Sequence, residues 1–367
     1  MWHVAALEFA AAFAAVALLI VVLEPLAHRV GLLDRPGGRK DHHAPTPVTG
    51  GLAIAVGTIV PGIFLTEPTP ALIGLGVAAL ILLVVGLIDD LRDLPWRVRV
   101  LAQVCAALAM IVVGGVQVGW IGAAFGLAPM ELGYLSIPFT VIATVGLINA
   151  LNMVDGLDGL AGTQALCALA MLIAAAIYAG NSELVNGLFA MAGAVAGFLA
   201  FNLRLPWQRQ ARVFLGNSGS AYLGVIIAWA SFRLTQNASF PVTPVLAPFL
   251  IALPVVDCLV LIVRRVMHRR SPFDADRTHV HHLLLDSGFT VTGVVLMLGF
   301  LSLAPGLAAA MALRANVPQP AFILAYLGLV VAYFIFSRNP QKATRCIARL
   351  TGRTPPPPPD MTAKLAE

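Results

Sequence analysis

The sequence predicts an all-α membrane protein, a polytopic helix bundle with about eleven transmembrane helices. Its 367 residues are 59% hydrophobic and 11% charged, with a mean hydropathy of +0.87, whereas soluble domains carry about 25% charged residues. A helix of about 20 apolar residues crosses the hydrocarbon core, and the chain is a succession of such stretches joined by short polar segments. An ordinary soluble domain is therefore excluded.

The predicted spans follow one another along almost the whole chain. They lie at 4–27, 50–66, 70–88, 97–118, 134–152, 159–180, 184–202, 213–233, 244–266, 291–313 and 319–336. No Lys or Arg precedes the first span and His28 and Arg29 follow it, which predicts a retained anchor and not a cleaved signal. We therefore expect a transmembrane domain at 1–337 and a basic, proline-rich tail at 338–367.

The basic residues predict which ends of the helices face the cytoplasm. In this arrangement 21 of the 23 Lys and Arg residues fall on one side, and Arg233 and Arg314 fall on the other. By the positive-inside rule the rich side is cytoplasmic, so the N-terminus lies outside and the C-terminus inside. The sequence pI of about 9.3 follows from this topology, and we expect no nucleic-acid partner.

Two acidic clusters stand at the ends of apolar runs. Asp89, Asp90 and Asp93 occur in GLIDDLRDLPW, and Asp155 and Asp158 occur in NALNMVDGLDGL. A carboxylate within hydrocarbon costs about 2.5–3.5 kcal/mol, so acids in these places indicate a functional site. Residues three apart share a face if the segment is helical, which would align the second pair. Solvated helix ends and helix caps are the alternatives for each cluster taken alone.

Further polar residues fall on the same predicted side. They are Lys40, His42, Asn149, Asn152, Phe214, Asn217, Arg265, His279, His281 and His282, with a Gly-x-Ser-Gly-Ser turn at 216–220. Carboxylate and amide oxygens suit Mg²⁺ or Mn²⁺, the basic side chains suit phosphate, and the turn could offer backbone N–H groups to an anion. Such a one-sided cluster predicts chemistry between a cytosolic solute and a lipid head group.

Two other features have simpler interpretations. Asp257 lies inside the ninth span, and there we expect an inward-facing structural hydrogen bond. The three histidines have no neighbouring cysteine, so a structural zinc site is not supported and a solvated basic loop is the alternative.

The motifs between about residues 28 and 290 resemble the polyprenyl-phosphate N-acetylhexosamine-1-phosphate transferase superfamily, glycosyltransferase family 4. Five separated motifs occur in the family's order. Three of them, RKDH at 39–42, NALNMVDGLDG and SPFDADRTHVHH, look most like the branch that uses undecaprenyl phosphate and UDP-GlcNAc.

The resemblance implies a reaction. The phosphate of undecaprenyl phosphate would attack the β-phosphorus of UDP-GlcNAc, giving undecaprenyl-diphospho-GlcNAc and UMP. This would be the first membrane step of a cell-surface polysaccharide such as O-antigen, at the cytoplasmic face of a bacterial inner membrane. The implied cofactor is Mg²⁺ or Mn²⁺, the implied partners are both substrates and the bilayer, and a homodimer is left open.

The resemblance also implies residue roles. The catalytic set is Asp89, Asp90, Asp155 and Asp158, in which Asp89 and Asp90 orient the lipid phosphate and Asp89 is the base. The metal set is Asn152, Asn217 and Asp155. The substrate-binding set is Lys40, His42, Asn149, Gly156, Leu157, Phe214, Arg265, His279, His281 and His282. Within it Gly156, Leu157 and Phe214, together with Asp158, would hold the uracil.

Position 217 departs from the family pattern, which reads Phe-Leu/Met-Gly-Asp-x-Gly-Ser. This chain has Asn217, which keeps one carbonyl oxygen but loses the negative charge of a metal-binding aspartate. We predict weaker Mg²⁺ binding and a strongly reduced rate. The sequence does not distinguish a natural replacement from an engineered inactive variant.

Three rival functions follow from the same residues. The first is the same reaction with another UDP-N-acetylhexosamine or with UDP-MurNAc-pentapeptide. The second is a transporter or lipid flippase that uses intramembrane acids, which would place those acids near mid-span. The third, an intramembrane aspartyl protease, requires Gly-x-Gly-Asp, whereas the chain has Asp-Gly-x-Asp-Gly.

Overall fold

The computed structural model describes residues 2–34, 45–65, 67–126, 128–237, 239, 241–271 and 278–354. The helices are α1 (Trp2–Val30), α2 (Gly50–Leu65), α3 (Pro70–Arg92), α4 (Trp96–Val112), α5 (Ser136–Val154), α6 (Leu160–Tyr178), α7 (Ser182–Asn202), α8 (Gly216–Thr235), α9 (Ala247–Leu250), α10 (Ala252–Met267), α11 (Val280–Asp286), α12 (Val291–Arg314), α13 (Gln319–Ser337) and α14 (Pro340–Thr351). Two-residue strands, Leu33–Asp34 and Thr46–Pro47, pair antiparallel. The predicted all-α membrane fold is confirmed.

The helices coincide with the predicted apolar spans, but they do not all qualify as membrane crossings. In the described chain seven segments are long and apolar enough to cross a bilayer, and an eighth is formed if Pro244–Leu250 and Ala252–Met267 are counted together. The other three predicted spans correspond to α2 and α4, of 16 and 17 residues, and to α8. The count of eleven crossings and their inside-outside topology therefore stay predictions.

The ninth predicted span, 244–266, is not one straight helix. It bends by 86° between Pro244–Leu250 and Ala252–Met267. Ile251, at the bend, has φ −137° and ψ 36°, outside the helical region. Pro248 and Pro254 lie in the first turns of α9 and α10, where a missing N–H leaves no helical hydrogen bond unmade. The proline pattern thus favours two short helices over a continuous one.

Small residues let the central helices approach closely. A Cβ on Gly51 of α2 would lie 2.2 Å from the Cα of Gly219 in α8, and one on Gly86 of α3 would lie 2.4 Å from the Cα of Ser218. Close backbone approach at small residues is a main source of helix association in membranes. These crossings hold the end of α3 against the beginning of α8, where the predicted acidic and Gly-Ser motifs meet.

The crossing of α1 and α7 gives a direct test of this packing. A Cβ on Gly193 would lie 2.1 Å from the Phe9 carbonyl oxygen, a backbone atom that cannot move aside alone. We expect Gly193→Ala to destabilise the protein by about 1–3 kcal/mol, the range for overpacking. The measurement is thermal unfolding in detergent. The matched control is Gly187→Ala in the same helix, where nothing lies within 4 Å; equal unfolding temperatures for the two variants would contradict the packing argument.

The predicted tail contains a helix. α14 packs against α11, and the Ser287 hydroxyl donates to the Thr344 carbonyl at 3.1 Å. The guanidinium of Arg353 lies 4.0 Å from the centre of the Phe289 ring. The first part of segment 338–367 is therefore attached to the bundle beside the histidine motif, while the proline run at 355–359 lies outside the described residues.

Candidate active site

A cavity of about 310 Å³ opens where α3, α4, α5, α8, α10 and α11 meet. Its lining includes nine of the predicted site residues: Asp89, Asn149, Asn152, Gly156, Asn217, Arg265, His279, His281 and His282. The described residues Asp90, Asp155, Leu157, Asp158 and Phe214 lie outside this lining. Lys40 and His42 lie outside the described residues. Motifs far apart in the sequence therefore converge on one cavity.

Asp89 is held in place at the end of α3. It is 3% exposed, and its Oδ1 accepts the Leu94 N–H at 2.7 Å. Arg99, in the first turn of α4, is 3.4 Å from the other carboxylate oxygen. The longer contact leaves Oδ2 the more available oxygen of a carboxylate on the cavity wall. This geometry is compatible with the predicted role of Asp89 toward a phosphate.

Asp90, near the end of α3, caps the N-terminus of α8 with its side chain. One carboxylate oxygen accepts the Asn217 N–H at 2.7 Å, and the other accepts the N–H and the hydroxyl of Ser218 at 3.2 and 2.8 Å. Gly216 has φ +77°, and a Cβ there would lie 2.7 Å from Asp90. The turn at 216–220 does offer N–H groups to an anion, but the anion that Asn217 and Ser218 bind is the protein's own Asp90 carboxylate.

The predicted metal ligands Asn152 and Asn217 contact each other directly. The Asn152 Nδ2 donates to the Asn217 Oδ1 at 2.9 Å and to the Ser220 hydroxyl at 3.0 Å. This orientation leaves the Asn152 carbonyl oxygen as the second amide acceptor of the pair. The two side chains thus form a polar floor, and α8 is fixed beneath it by Asp90.

Asp155 and Asp158 do not share a helix face, contrary to the expectation for a helical segment. α5 ends at Val154 and α6 begins at Leu160, with a turn between them. Gly159 has φ +81°, a conformation that glycine adopts freely. The side chain of Asp158 accepts from Arg204 Nε at 2.7 Å and from the Ala211 N–H at 3.2 Å. Asp158 therefore ties this turn to the segment that precedes α8.

The carboxyl of Asp155 is the electrostatically unusual group of the turn. The surrounding protein and the carboxylates of Asp90 and Asp158 raise the pKa of Asp155 from its usual 3.8 to about 7. The residue is exposed, so solvent weakens the burial contribution, and repulsion by the two neighbours is the part on which we rely. A cation at this place would relieve that repulsion.

The histidine segment covers the same cavity. His279 Nδ1 lies 2.8 Å from Asp257 Oδ2, so the structural hydrogen bond expected for Asp257 is confirmed. His281 stacks on His279 with ring centres 5.4 Å apart, and a Cβ on Gly156 would lie 3.0 Å from its Nε2. Burial and the two neighbouring imidazoles lower the pKa of His281 to about 3. His281 is therefore neutral at physiological pH and packs over Gly156.

Of the predicted uracil-binding residues, Gly156 lines the cavity, whereas Leu157, Asp158 and Phe214 do not. Leu157 packs against the apolar cluster of Leu284 and Phe289. Phe214 is half-buried, and its backbone is hydrogen-bonded to Pro47 and Gly50 at 2.8 and 3.0 Å. A direct role for these two side chains in holding uracil stays a prediction.

Sequence reasoning missed two polar side chains of the cavity, Arg99 and Gln103. Gln103 is 7% exposed in α4, and its Oε1 accepts from Asn149 Nδ2 at 2.7 Å. A lone amide inside an apolar run was the available signal, since polar residues in spans usually mark a site.

The donor atoms suit a hard divalent cation in type but are short of negative charge. In the described chain no group of three His, Cys, Asp or Glu side chains could hold a metal ion. The predicted set of Asn152, Asn217 and Asp155 offers one carboxylate and two amide oxygens, the ligand types that Mg²⁺ accepts. The unbalanced charge around Asp155 fits such an ion, whereas Asn217 weakens the set.

Comparison with known proteins gives the family. The sequence profile described as glycosyl transferase family 4 matches residues 72–235. An undecaprenyl-phosphate alpha-N-acetylglucosaminyl 1-phosphate transferase of Haemophilus influenzae is 33% identical over 78% of this chain and 80% of its own length. The chain belongs to glycosyl transferase family 4. Proteins of the same name from Pasteurella multocida and Escherichia coli K12 are 31% and 29% identical, and each match covers at least 92% of both chains.

The family assignment confirms the resemblance inferred from the motifs. The matched segment runs from α3 to the end of α8 and contains both acidic clusters and Asn217. The chain is thus a multi-pass membrane protein of glycosyl transferase family 4, and the segment that matches the family profile carries Asp89, Asn152 and Asn217 of the cavity.

Proposed function

We propose that this protein is a phosphotransferase that moves GlcNAc-1-phosphate from UDP-GlcNAc to undecaprenyl phosphate and releases UMP. The observation that carries the proposal is the cavity itself, because nine residues from separated motifs line it in a chain whose relatives are named for this reaction. The acids Asp89 and Asp155 lie at helix ends and not at mid-span, which disfavours the transporter and flippase alternatives.

The reaction exchanges one phosphorus–oxygen bond for another. An oxygen of the lipid phosphate forms a bond to the β-phosphorus of UDP-GlcNAc, and the bond from that phosphorus to the bridging oxygen breaks. The electron pair leaves with UMP. A phosphate monoester has a second pKa of about 6, so it is largely ionised at pH 7. The protein therefore contributes mainly positioning and charge neutralisation.

The cavity residues can divide these tasks. Arg265 is 5% exposed and lines the cavity with His279, so both can contact phosphate oxygens of the donor. Asp89, which lines the same cavity, can orient the lipid phosphate. Mg²⁺, held by Asn152, Asn217 and Asp155, would neutralise charge on the diphosphate. By the positive-inside rule, we place this site at the cytoplasmic face of the inner membrane.

The test is product formation by the purified chain in detergent. We expect thin-layer chromatography to show a GlcNAc-diphospholipid from UDP-GlcNAc and undecaprenyl phosphate, dependent on Mg²⁺ and accompanied by UMP. Competition with UDP-GalNAc and UDP-MurNAc-pentapeptide tests the sugar. The Asn217→Asp variant is run in parallel, because its rate should be higher; absence of the lipid product from both proteins would refute the proposed function.

A further inference from the structure

Asp257 connects three elements beneath the cavity. Its side chain is 1% exposed within α10. One carboxylate oxygen pairs with His279 Nδ1 at 2.8 Å, and the other accepts from the Val280 N–H at 3.1 Å and the Tyr333 hydroxyl at 2.5 Å. Both oxygens of one buried carboxylate therefore have partners, which come from the start of α11 and from α13.

This arrangement is more specific than packing requires. A carboxylate in an apolar segment costs several kcal/mol, and an apolar side chain would fill the same space without that cost. The carboxylate adds a constraint on its partners, because it only accepts hydrogen bonds and each partner must therefore be a donor. It therefore fixes the proton of His279 on Nδ1, and the Val280 bond fixes the backbone that carries the ring.

The hydrogen bond at Nδ1 also determines the role of the other ring nitrogen of His279, Nε2. His279 is 6% exposed and lines the cavity together with Arg265. With Nδ1 held by Asp257, Nε2 is the nitrogen left for a ligand, because the partner of one imidazole nitrogen determines what the other can do. His281, whose Nε2 packs on Gly156, restricts rotation of the His279 ring by stacking.

We infer that Asp257 is a positioning residue for the transfer reaction: its carboxylate holds the plane of His279 and balances the charge of the imidazolium, whose Nε2–H donates to a phosphate oxygen of the donor. The inference rests on the proposed function and deepens it. Asp257 itself touches no substrate in this arrangement and acts through the histidine.

Asp257→Asn is the informative change because it keeps the size of the side chain. Asparagine has one carbonyl oxygen and one NH₂ group, so it cannot accept from all three donors. We expect kcat to fall by about 10²- to 10³-fold, the range for removing one preorganised electrostatic contact from the transition state, with a much smaller change in KM for UDP-GlcNAc. Asp257→Glu, which keeps the charge, should recover part of the loss. Tyr333→Phe removes a different donor from the same carboxylate and should lower kcat less.

A double-mutant cycle separates positioning from a merely structural role. If Asp257 acts through His279, then Asp257→Asn should cause little further loss of kcat in a His279→Ala protein. Additive losses would overturn the inference. All rates are measured both in the parent chain and in the Asn217→Asp background, and thermal unfolding in detergent reports whether each variant is folded.

A second readout does not depend on activity. In ¹⁵N-histidine-labelled protein, the ring signals of His279 are assigned by their loss in His279→Ala. We expect a hydrogen-bonded Nδ1–H in the parent and a shift of that signal in Asp257→Asn. An unchanged signal would overturn the inference. If the parent and Asn217→Asp form no lipid product but the signal shifts, the proposed function fails while the Asp257–His279 pairing stands.

Discussion

Asn217→Asp is expected to increase Mg²⁺-dependent release of UMP by about 10- to 100-fold, the scale on which groups supporting a metal ion change its affinity or the activity. The variant adds the carboxylate that the family pattern has at this position. The present side chain offers one uncharged oxygen, and that oxygen already accepts a hydrogen bond from Asn152 Nδ2 at 2.9 Å. An aspartate could keep this bond with one oxygen and present the other to the metal.

The surroundings of position 217 can accommodate an aspartate, but the stability of the variant should depend on a bound cation. The backbone N–H of Asn217 is bound by Asp90 at 2.7 Å, and this bond does not depend on the side chain. The new charge would stand near Asp90, and like charges at short distance raise the free energy of the folded state. We therefore expect Asn217→Asp to unfold at a lower temperature than the parent without Mg²⁺, and to be stabilised more strongly when Mg²⁺ is added.

The measurement is UMP release across a Mg²⁺ titration, with thermal unfolding at the same concentrations. Asn149→Asp is the matched control, because it places the same charge elsewhere on the cavity wall. It should bring no gain, since it loses the Nδ2 that donates to Gln103 at 2.7 Å. Equal rates of parent and Asn217→Asp at every Mg²⁺ concentration would contradict the role assigned to position 217.

The helices and the composition of the cavity were predictable because both depend on patterns along the chain. Each predicted apolar run is helical, although the ninth is divided into two short segments by a bend. The one-sided polar motifs predicted a shared site, and Asp89, Asn152 and His279 line it. Such patterns can be identified in the sequence without knowledge of tertiary contacts. The bend at Ile251 was less predictable, although the prolines on both sides of it were a visible signal.

The pairing of side chains was not predictable in the same way. Asp90 and the N-terminus of α8 were each recognised, but their hydrogen bonds depend on the close crossing of α3 and α8 at Gly86. Likewise Asp257 and His279 were each noticed, and their contact depends on how α11 returns to α10. Such contacts follow from packing geometry between elements, which single-sequence periodicity does not contain.

Asp155→Asn is expected to cause a large loss of activity, about 10²- to 10³-fold in kcat, comparable to removing one preorganised electrostatic contact from a transition state. Asp155 is the one carboxylate in the predicted metal set, so the variant's set consists of three neutral amides. The matched control is Asp93→Asn. Asp93 is exposed at the end of α3 with φ +51°, a conformation that asparagine tolerates, and its variant should keep the parent's rate. Equal losses in both variants would contradict a specific role for Asp155.

The same substitution should have the opposite effect on the stability of the Mg²⁺-free protein. The pKa of Asp155 is raised from 3.8 to about 7 in the folded chain, so the folded state holds this proton more tightly than the unfolded state does. The contribution of this bound proton to the free energy of unfolding is complete below about pH 4 and is lost as the pH rises through about 7. Above that pH without Mg²⁺, Asp155→Asn should unfold at a higher temperature than the parent.

The Mg²⁺ requirement of the reaction should also depend on pH through Asp155, but here low pH is the unfavourable side. With its pKa raised to about 7, the Asp155 carboxyl takes up a proton as the pH falls below 7, and a proton competes with a cation for it. We therefore expect the parent to need more Mg²⁺ for half-maximal UMP release at pH 6 than at pH 8, and Asp155→Asn to lack this difference. If Asp155→Asn kept the parent's pH-dependent Mg²⁺ requirement, another group would control it. If both results are obtained, Asp155 acts in the transfer through its negative charge.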